Sequence, residues 1–189
     1  MLSSIHPLGE RGRNNRFWVT AAAHVAGSAV GGASIGLVAG AVGWFAGWSV
    51  SVGVVVAVVG LAVVLDLSAV AVPSPHRQVN ERWLDTYRGV VYGFGYGFQL
   101  GAAVITIVPT WLIPAVLTAA VLSGSATTGL LIGAVFGLVR GAAVLTVAHV
   151  HHVDQLRAFH RSLHRHRAGV RIGLLAIVTV VGATTVLVA

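Results

Sequence analysis

Cysteine, lysine and acidic residues are scarce in this sequence. Its 189 residues include no cysteine and no lysine, and five acidic residues stand against twelve arginines. Without cysteine, disulfides, thiol relays and cysteine metal sites are excluded. Charged residues make up only 9% of the chain, which is too few to cover the water-facing surface of a soluble domain. The absence of lysine also hints at a GC-rich bacterial genome.

Apolar residues dominate what is present. They make up 56% of the sequence, and the mean hydropathy is +0.87. Several runs exceed the roughly 18 to 20 apolar residues that a helix needs to cross a bilayer. We therefore predict an all-α polytopic membrane protein, with a polar segment at 1–16 and a single transmembrane helical domain at 17–189. The first residues lack the order of a signal peptide, so no removable targeting segment is expected.

The arginines lie almost entirely in three polar segments, 1–16, 73–88 and 149–171. Arginine in short segments between apolar runs is typical of cytoplasmic loops that face anionic lipid. The net charge of +7 therefore indicates the lipid bilayer as partner and argues against nucleic acid. The predicted location is a bacterial plasma membrane, with the N-terminus in the cytoplasm.

One glycine-rich pattern occurs twice. The frame GA-x-x-GLV-x-GA is found at Gly32–Val42 (GASIGLVAGAV) and again at Gly133–Ala143 (GAVFGLVRGAA). Around the second copy, glycine recurs at every fourth position from 129 to 141, so these glycines share one helix face and allow a second helix to approach closely. A repeated span predicts a repeated fold.

Five crossings account for the apolar runs. The third run is overlong and is interrupted at Pro109 and Pro114, so it could cross twice or once as a broken helix. A single crossing puts all three arginine segments on one side and makes the two glycine-rich spans antiparallel, as an inverted repeat requires. We therefore predict spans at 17–46, 48–72, 89–123 (broken), 129–149 and 171–189.

Two polar segments have the pattern of amphipathic helices that lie in the membrane interface. In 73–88, Val79, Trp83, Leu84 and Tyr87 recur at helical spacing opposite charged residues. In 149–170, apolar and charged residues likewise fall on opposite sides of the helix.

Three ionisable residues lie inside predicted spans. His24, Asp66 and Arg140 share a depth of about 9 to 12 Å from the predicted cytoplasmic end, at about 1.5 Å per residue. An unpaired charge in the membrane costs at least about 2.5 kcal/mol, so Asp66 and Arg140 are expected to pair or to face a hydrated cavity. We predict a solute or proton site here, with Gln99 as its uncharged wall.

The alternatives to that site are structural. Asp66 and Arg140 could form an ion pair that ties two helices together, with Arg140 extending towards the cytoplasm. His24 could be satisfied by a neighbouring helix.

Histidines cluster between 149 and 166, and His160 and His164, four residues apart, share a helix face. Such a pair could bind nickel, cobalt or zinc, the only cofactor class that the sequence indicates. The interleaved arginines would repel a cation and favour a lipid-binding helix instead. No residues have the spacing of a catalytic site, so an enzyme is not predicted.

The run Tyr92–Gly101 (YGFGYGFQLG), Pro109, the duplicated span and the extension SSIHPLGERGR together resemble the cytochrome-c-biogenesis and thiol-reductant transmembrane family (DsbD/CcdA-like), within the LysE-type exporter superfamily. The resemblance implies two inverted three-helix repeats, each opening with a broken, proline-bearing helix. It places Gln99 near the family's redox cysteine, and leaves the first repeat's opening helix missing or reduced to 1–8. Without cysteine, thiol electron transfer is not implied.

Two functions therefore remain. The first is export of a small solute or ion past Asp66, Arg140, His24 and Gln99. The second is a non-transporting membrane subunit, for example in cytochrome or redox-protein maturation, whose glycine faces dock a partner. A homo-oligomer or a partner membrane protein is expected in either case.

Overall fold

The computed structural model of the protein describes residues 5–48, 50–68, 70–72, 82–103, 110–159 and 161–162. All regular secondary structure in these residues is helical. This confirms the all-α prediction. The helices are α1 (Pro7–Gly12), α2 (Phe17–Phe45), α3 (Val52–Leu67), α4 (Trp83–Thr86), α5 (Gly89–Ala102), α6 (Leu112–Leu122) and α7 (Ala126–Ala142). A 3-10 turn, Ala143–Val147, continues α7, and residues 153–159 form a further helical stretch.

Two helices are long and apolar enough to cross a membrane. They are α2, with 29 residues, and α7 with its 3-10 extension, with 22. The predicted second span, 48–72, is helical only over the 16 residues of α3. The helix α3 begins later than predicted because α2 ends in a glycine turn. In this turn, Gly47 has a φ of +68° and the Trp48 N–H donates to the Gly43 carbonyl.

The long helix α2 is the centre of the bundle, and small residues make up most of its buried face. Gly27 and Gly31 face backbone carbonyls of α5, whereas Gly36 and Gly40 face backbone carbonyls at α7. Large apolar side chains point outwards, and Phe45 is 81% exposed. This arrangement, with small residues inside and large apolar residues outside, is how helices pack in lipid.

The order of contacts fixes the direction of each neighbour of α2. Thr20, His24 and Ser28 meet, in turn, Gly93, Gly97 and Gly101, so α5 runs parallel to α2. Gly32, Gly36 and Gly40 meet, in turn, Gly133, Gly129 and Ser125, so α7 runs antiparallel.

The two copies of the repeated frame therefore pack directly against each other. Gly32 and Gly133, which begin the two copies, face each other's carbonyl oxygen. The flanking contacts are reciprocal as well: Gly36 meets Gly129, and its counterpart Gly137 meets Ser28. Each copy therefore contacts the other through the same positions of the frame. An approximate twofold axis between the two copies would produce this pattern of contacts.

The bundle has two chemically different ends. We call the end where α2 and α5 begin, at Arg16 and Arg88, the basal end, and the end where α2 and α6 finish, at Phe45 and Leu122, the distal end. The connections at the distal end, 46–51 and 123–125, contain no charged residue. Since α5 begins beside Thr20 and α6 ends beside Gly43, α5 starts at one end of α2 and α6 finishes at the other.

The N-terminal segment is not simply a polar extension. It forms α1, and the buried Ile5 and Phe17 pack at the basal end with Tyr92, Val147 and other apolar residues. A backbone hydrogen bond of 3.3 Å from Leu8 N to Val150 O joins the segment to the chain that follows α7. The N-terminal segment therefore closes the basal end of the bundle.

The two predicted interfacial helices are described only in part. Within 73–88, α4 places Leu84 in the basal core, and Trp83 stacks on Tyr96 with ring centroids 6.1 Å apart. In the second segment, Leu156 and Phe159 pack against the same core, as the amphipathic pattern predicts. The predicted last span, 171–189, lies outside the described residues, as do Pro109, His160 and His164.

Candidate functional site

A line of buried polar side chains runs along α2 from its basal end. Thr20, His24 and Ser28 are 1%, 3% and 0% exposed, and Glu10 of α1, next to Thr20, is fully buried. Residues four apart share a helix face, so the three side chains of α2 lie one above another at about 5.4 Å intervals. We call these four residues the polar column.

Glycines of α5 make room for the column. Gly93, Gly97 and Gly101 lie against the backbone at Thr20, His24 and Ser28, where any side chain on α5 would overlap α2. The Ser28 hydroxyl donates to the Gly97 carbonyl at 3.0 Å. The column is therefore sealed between two backbones in close contact.

The Glu10 carboxylate, at the basal end of the column, has many partners. The Tyr92 hydroxyl donates to both of its oxygens, at 2.5 Å to Oε1. The Thr20 hydroxyl donates to Oε2 at 2.9 Å, and Arg13 Nη1 lies 3.2 Å from Oε1. These donors replace the water that a buried carboxylate loses, which is the condition for burying it.

The Tyr92 hydroxyl itself accepts a longer hydrogen bond of 3.4 Å from the Asn15 side chain. Glu10 thus joins α1 to α2 and α5 through side chains that are distant in sequence.

His24, in the middle of the column, is the member with an unused polar atom. Its imidazole lies beside the backbone of Gly93, but Nδ1 is buried and has no hydrogen-bond partner in the described part of the chain. Buried polar atoms are nearly always paired, so an orphan of this kind calls for a functional or structural reason.

Asp66 stabilises the break between α5 and α6. Its Oδ1 accepts the backbone N–H of Trp111 at 2.9 Å, and its Oδ2 accepts the Thr110 hydroxyl. The Trp111 indole also donates to the Val70 carbonyl at 2.9 Å. The end of α3 thus satisfies backbone and side-chain donors where α6 begins.

Arg140 does not pair with Asp66. Its guanidinium lies over the Phe136 ring, 5.3 Å from the centroid, and its buried Nη1 has no hydrogen-bond partner among the described residues. The ion pair, one of the two arrangements expected for these residues, is therefore not formed, and the carboxylate of Asp66 is used at the start of α6. The residue that follows Arg140, Gly141, packs on Ser28 of the column. Arg140 is therefore next in sequence to a residue that contacts the column.

The structure thus does not bring the predicted site residues together. His24 lies between α2 and α5, Asp66 lies between α3 and α6, and Arg140 lies on α7. Gln99 is half-buried on α5, two residues from Gly97. In the part of the chain that is described, no three metal-ligating side chains come together, and the predicted pair His160 and His164 falls outside that part.

Sequence reasoning missed Glu10, Thr20, Ser28 and Tyr92. A signal for three of them was present: residues 20, 24 and 28 place two hydroxyls and an imidazole on one face of an otherwise apolar span. Glu10 carried no such signal, because it stands in a polar, arginine-rich segment where an exposed carboxylate is expected.

Comparisons with protein-family models, with curated proteins and with solved structures found no match to this chain. The resemblance to the DsbD/CcdA-like family consequently stays a prediction that rests on the quoted motifs.

Proposed function

We propose that this chain is a polytopic membrane transport protein that exports a small ion or solute and uses the polar column as its proton-binding path. The observation that carries the proposal is the polar column itself. Apart from His6, which caps α1, and the hydroxyls of buried tyrosines, the buried polar side chains of the described chain are its four members. Such groups are rarely placed inside a membrane bundle without a function.

The proton is the ion that fits this path. The carboxylate of Glu10 and the imidazole of His24 can bind and release a proton, and the hydroxyls between and beyond them both donate and accept hydrogen bonds. The backbones of α2 and α5 are in contact along the column, which leaves no room there for a larger solute. An exported solute would use another path, coupled to the column.

The surface supports membrane insertion. Large apolar side chains on α2 and α7 are exposed, with Val38 at 60% and Val139 at 68%. The described arginines other than Arg140 belong to segments at the basal end, whereas the connections at the distal end are uncharged. We propose that the basal end faces the cytoplasm, following the positive-inside rule.

The proposed topology has five crossings, with 89–122 as one broken crossing. The helix α5 runs parallel to α2 from the basal end, and α6 ends at the distal end. Both observations support a single crossing there. The reciprocal contacts between the two glycine frames support the inverted repeat.

Proton flux into proteoliposomes tests the transport function. Vesicles with an internal pH-sensitive dye receive a potassium diffusion potential, and we expect the wild-type protein to acidify the lumen faster than empty vesicles. Glu10→Gln and His24→Gln should lower the rate to that of empty vesicles. Asp154→Asn and His152→Gln, which change exposed residues outside the column, should leave it unchanged.

Equal flux in wild-type and empty vesicles would contradict the proton path. Equal flux in the wild-type and column variants, with all variants eluting as folded protein, would show that protons cross elsewhere.

A non-transporting membrane subunit is the second function. The observation that favours it is a face of α3 that the described residues leave open. A side chain added at Gly60 would meet none of their atoms within 4 Å beyond the turns of α3 itself, and Leu61 is 60% exposed. Small residues exposed on an apolar helix are suited to docking another helix in lipid.

Native mass spectrometry of protein extracted from its own membrane tests this function. A stoichiometric second protein would identify a subunit, and a homo-oligomer would favour the transporter.

A further inference from the structure

A basic groove lies at the basal end, on both sides of Arg16. One part, of about 440 Å³, is lined by Arg11, Trp18 and His151 among others. The other part, of about 370 Å³, is lined by Arg88, Val19 and Val90 among others. Asn14, Asn15 and Arg16 line both parts, so the two parts adjoin each other at these residues.

No acidic side chain among the described residues offsets the charge of this groove. Arg11, Arg16 and Arg88 are exposed, and none of them lies within salt-bridge distance of an acidic side chain in the described chain. The nearby carboxylate of Glu10 is fully buried and is engaged by Tyr92 instead.

Arg16 and Arg88 also stand immediately before the first turns of α2 and α5. Positive charge is unfavourable at the positive end of a helix dipole, and here two such ends meet around one groove. An anion in the groove would remove this repulsion.

The wall above the arginines is apolar and exposed. Trp18 is 66% exposed, Val19 47% and Val90 50%, and all three begin the helices that we place in the membrane. A ligand that suits both parts of the site has a phosphate at one end and hydrocarbon at the other.

We propose that the groove is a binding site for the phosphate headgroup of an anionic phospholipid, whose acyl chains lie along Val19 and Val90. Arg16 and Arg88 hold the phosphate from the starts of two helices, and Asn14 lines the same part of the groove. The inference rests on the membrane insertion proposed above and is independent of the transport activity.

Native mass spectrometry of the detergent-purified full chain, titrated with phosphatidylglycerol or phosphatidylcholine, tests the site. We expect phosphatidylglycerol to bind more tightly. Each basic residue near an anionic headgroup contributes about 1 kcal/mol, or about 5-fold in affinity, so the double variant Arg16→Gln/Arg88→Gln should weaken binding about 30-fold. The matched control is Arg157→Gln, an exposed arginine outside the groove.

Arg16→Lys/Arg88→Lys keeps the charge and should retain most of the affinity, which separates charge loss from misfolding. Equal binding of the two lipids, or an equal loss of affinity in Arg157→Gln, would overturn the site. Inorganic phosphate should compete poorly because it lacks acyl chains, and if it competes as well as the lipid, the ligand is a free anion and the lipid proposal is wrong. Failure of proton flux would leave all of these outcomes unchanged.

Discussion

Gly32 of α2 and Gly133 of α7 face each other so closely that a methyl group on either residue would overlap the carbonyl oxygen of the other. The two glycines occupy the same position in the two copies of the repeated frame. Backbones at this distance gain dispersion contacts and Cα–H···O contacts that side chains would prevent. The duplicated motif thus forms its main contact with its own copy.

Substitution at this contact should destabilise the bundle. Gly133→Ala is expected to cost about 1 to 3 kcal/mol, because the added methyl group forces the two backbones apart. The matched control is Gly60→Ala on α3, where the added methyl group would meet no described atom within 4 Å beyond the turns of α3 itself, so the change should be neutral or slightly stabilising. Titration of the purified protein with a denaturing detergent measures both, and equal midpoints would contradict the packing.

Asp66 and Arg140 should behave as independent residues. Because they do not interact, the effects of Asp66→Asn and Arg140→Gln on the free energy of unfolding should add to within about 0.5 kcal/mol. The pair Asp66→Asn and Thr110→Val, which share a hydrogen bond, should instead show a coupling of about 0.5 to 3 kcal/mol. A large coupling between Asp66 and Arg140 would restore the ion pair that the sequence suggested.

The Tyr92 hydroxyl should matter more than that of another tyrosine. Tyr92→Phe removes one of the hydrogen-bond donors of the buried Glu10 carboxylate, and a hydrogen bond to a charged group contributes about 1.5 to 3 kcal/mol. Tyr87→Phe, at a site that is 48% exposed, should change stability by less than about 0.5 kcal/mol. Thermal unfolding in detergent compares them, and similar melting temperatures would show that Glu10 does not depend on Tyr92.

The absence of cysteine makes the topology directly testable, because a single introduced cysteine is the only thiol in the chain. Thr127→Cys, exposed near the distal end, should react with a membrane-impermeant maleimide in intact cells. Arg157→Cys, exposed at the basal end, should react only after lysis. The opposite labelling pattern would reverse the proposed orientation, and labelling of both in intact cells would contradict insertion.

The helices with the strongest patterns could be predicted from the sequence. The first span, 17–46, corresponds closely to α2, and the glycine face from 129 to 141 is the buried face of α7. Both predictions depend on local properties, namely an apolar run of membrane length and a small residue at every fourth position, and these need no knowledge of the neighbours.

The candidate site could be predicted only in part. His24 was identified because an ionisable residue in an apolar span is conspicuous, but its true neighbours were not. Depth along a helix does not determine which face a residue occupies. Asp66 and Arg140 share a predicted depth, but Asp66 binds the start of α6, whereas Arg140 lies over Phe136 of its own helix.

The sequence by itself determined that the chain is helical, more apolar than a soluble domain and built around glycine faces. These properties follow from composition and periodicity. Only the tertiary structure decided that the N-terminal segment folds back under the bundle and buries Glu10 against Tyr92, 82 residues away. A carboxylate is buried only where distant donors replace its water, and the position of such donors depends on how the helices pack.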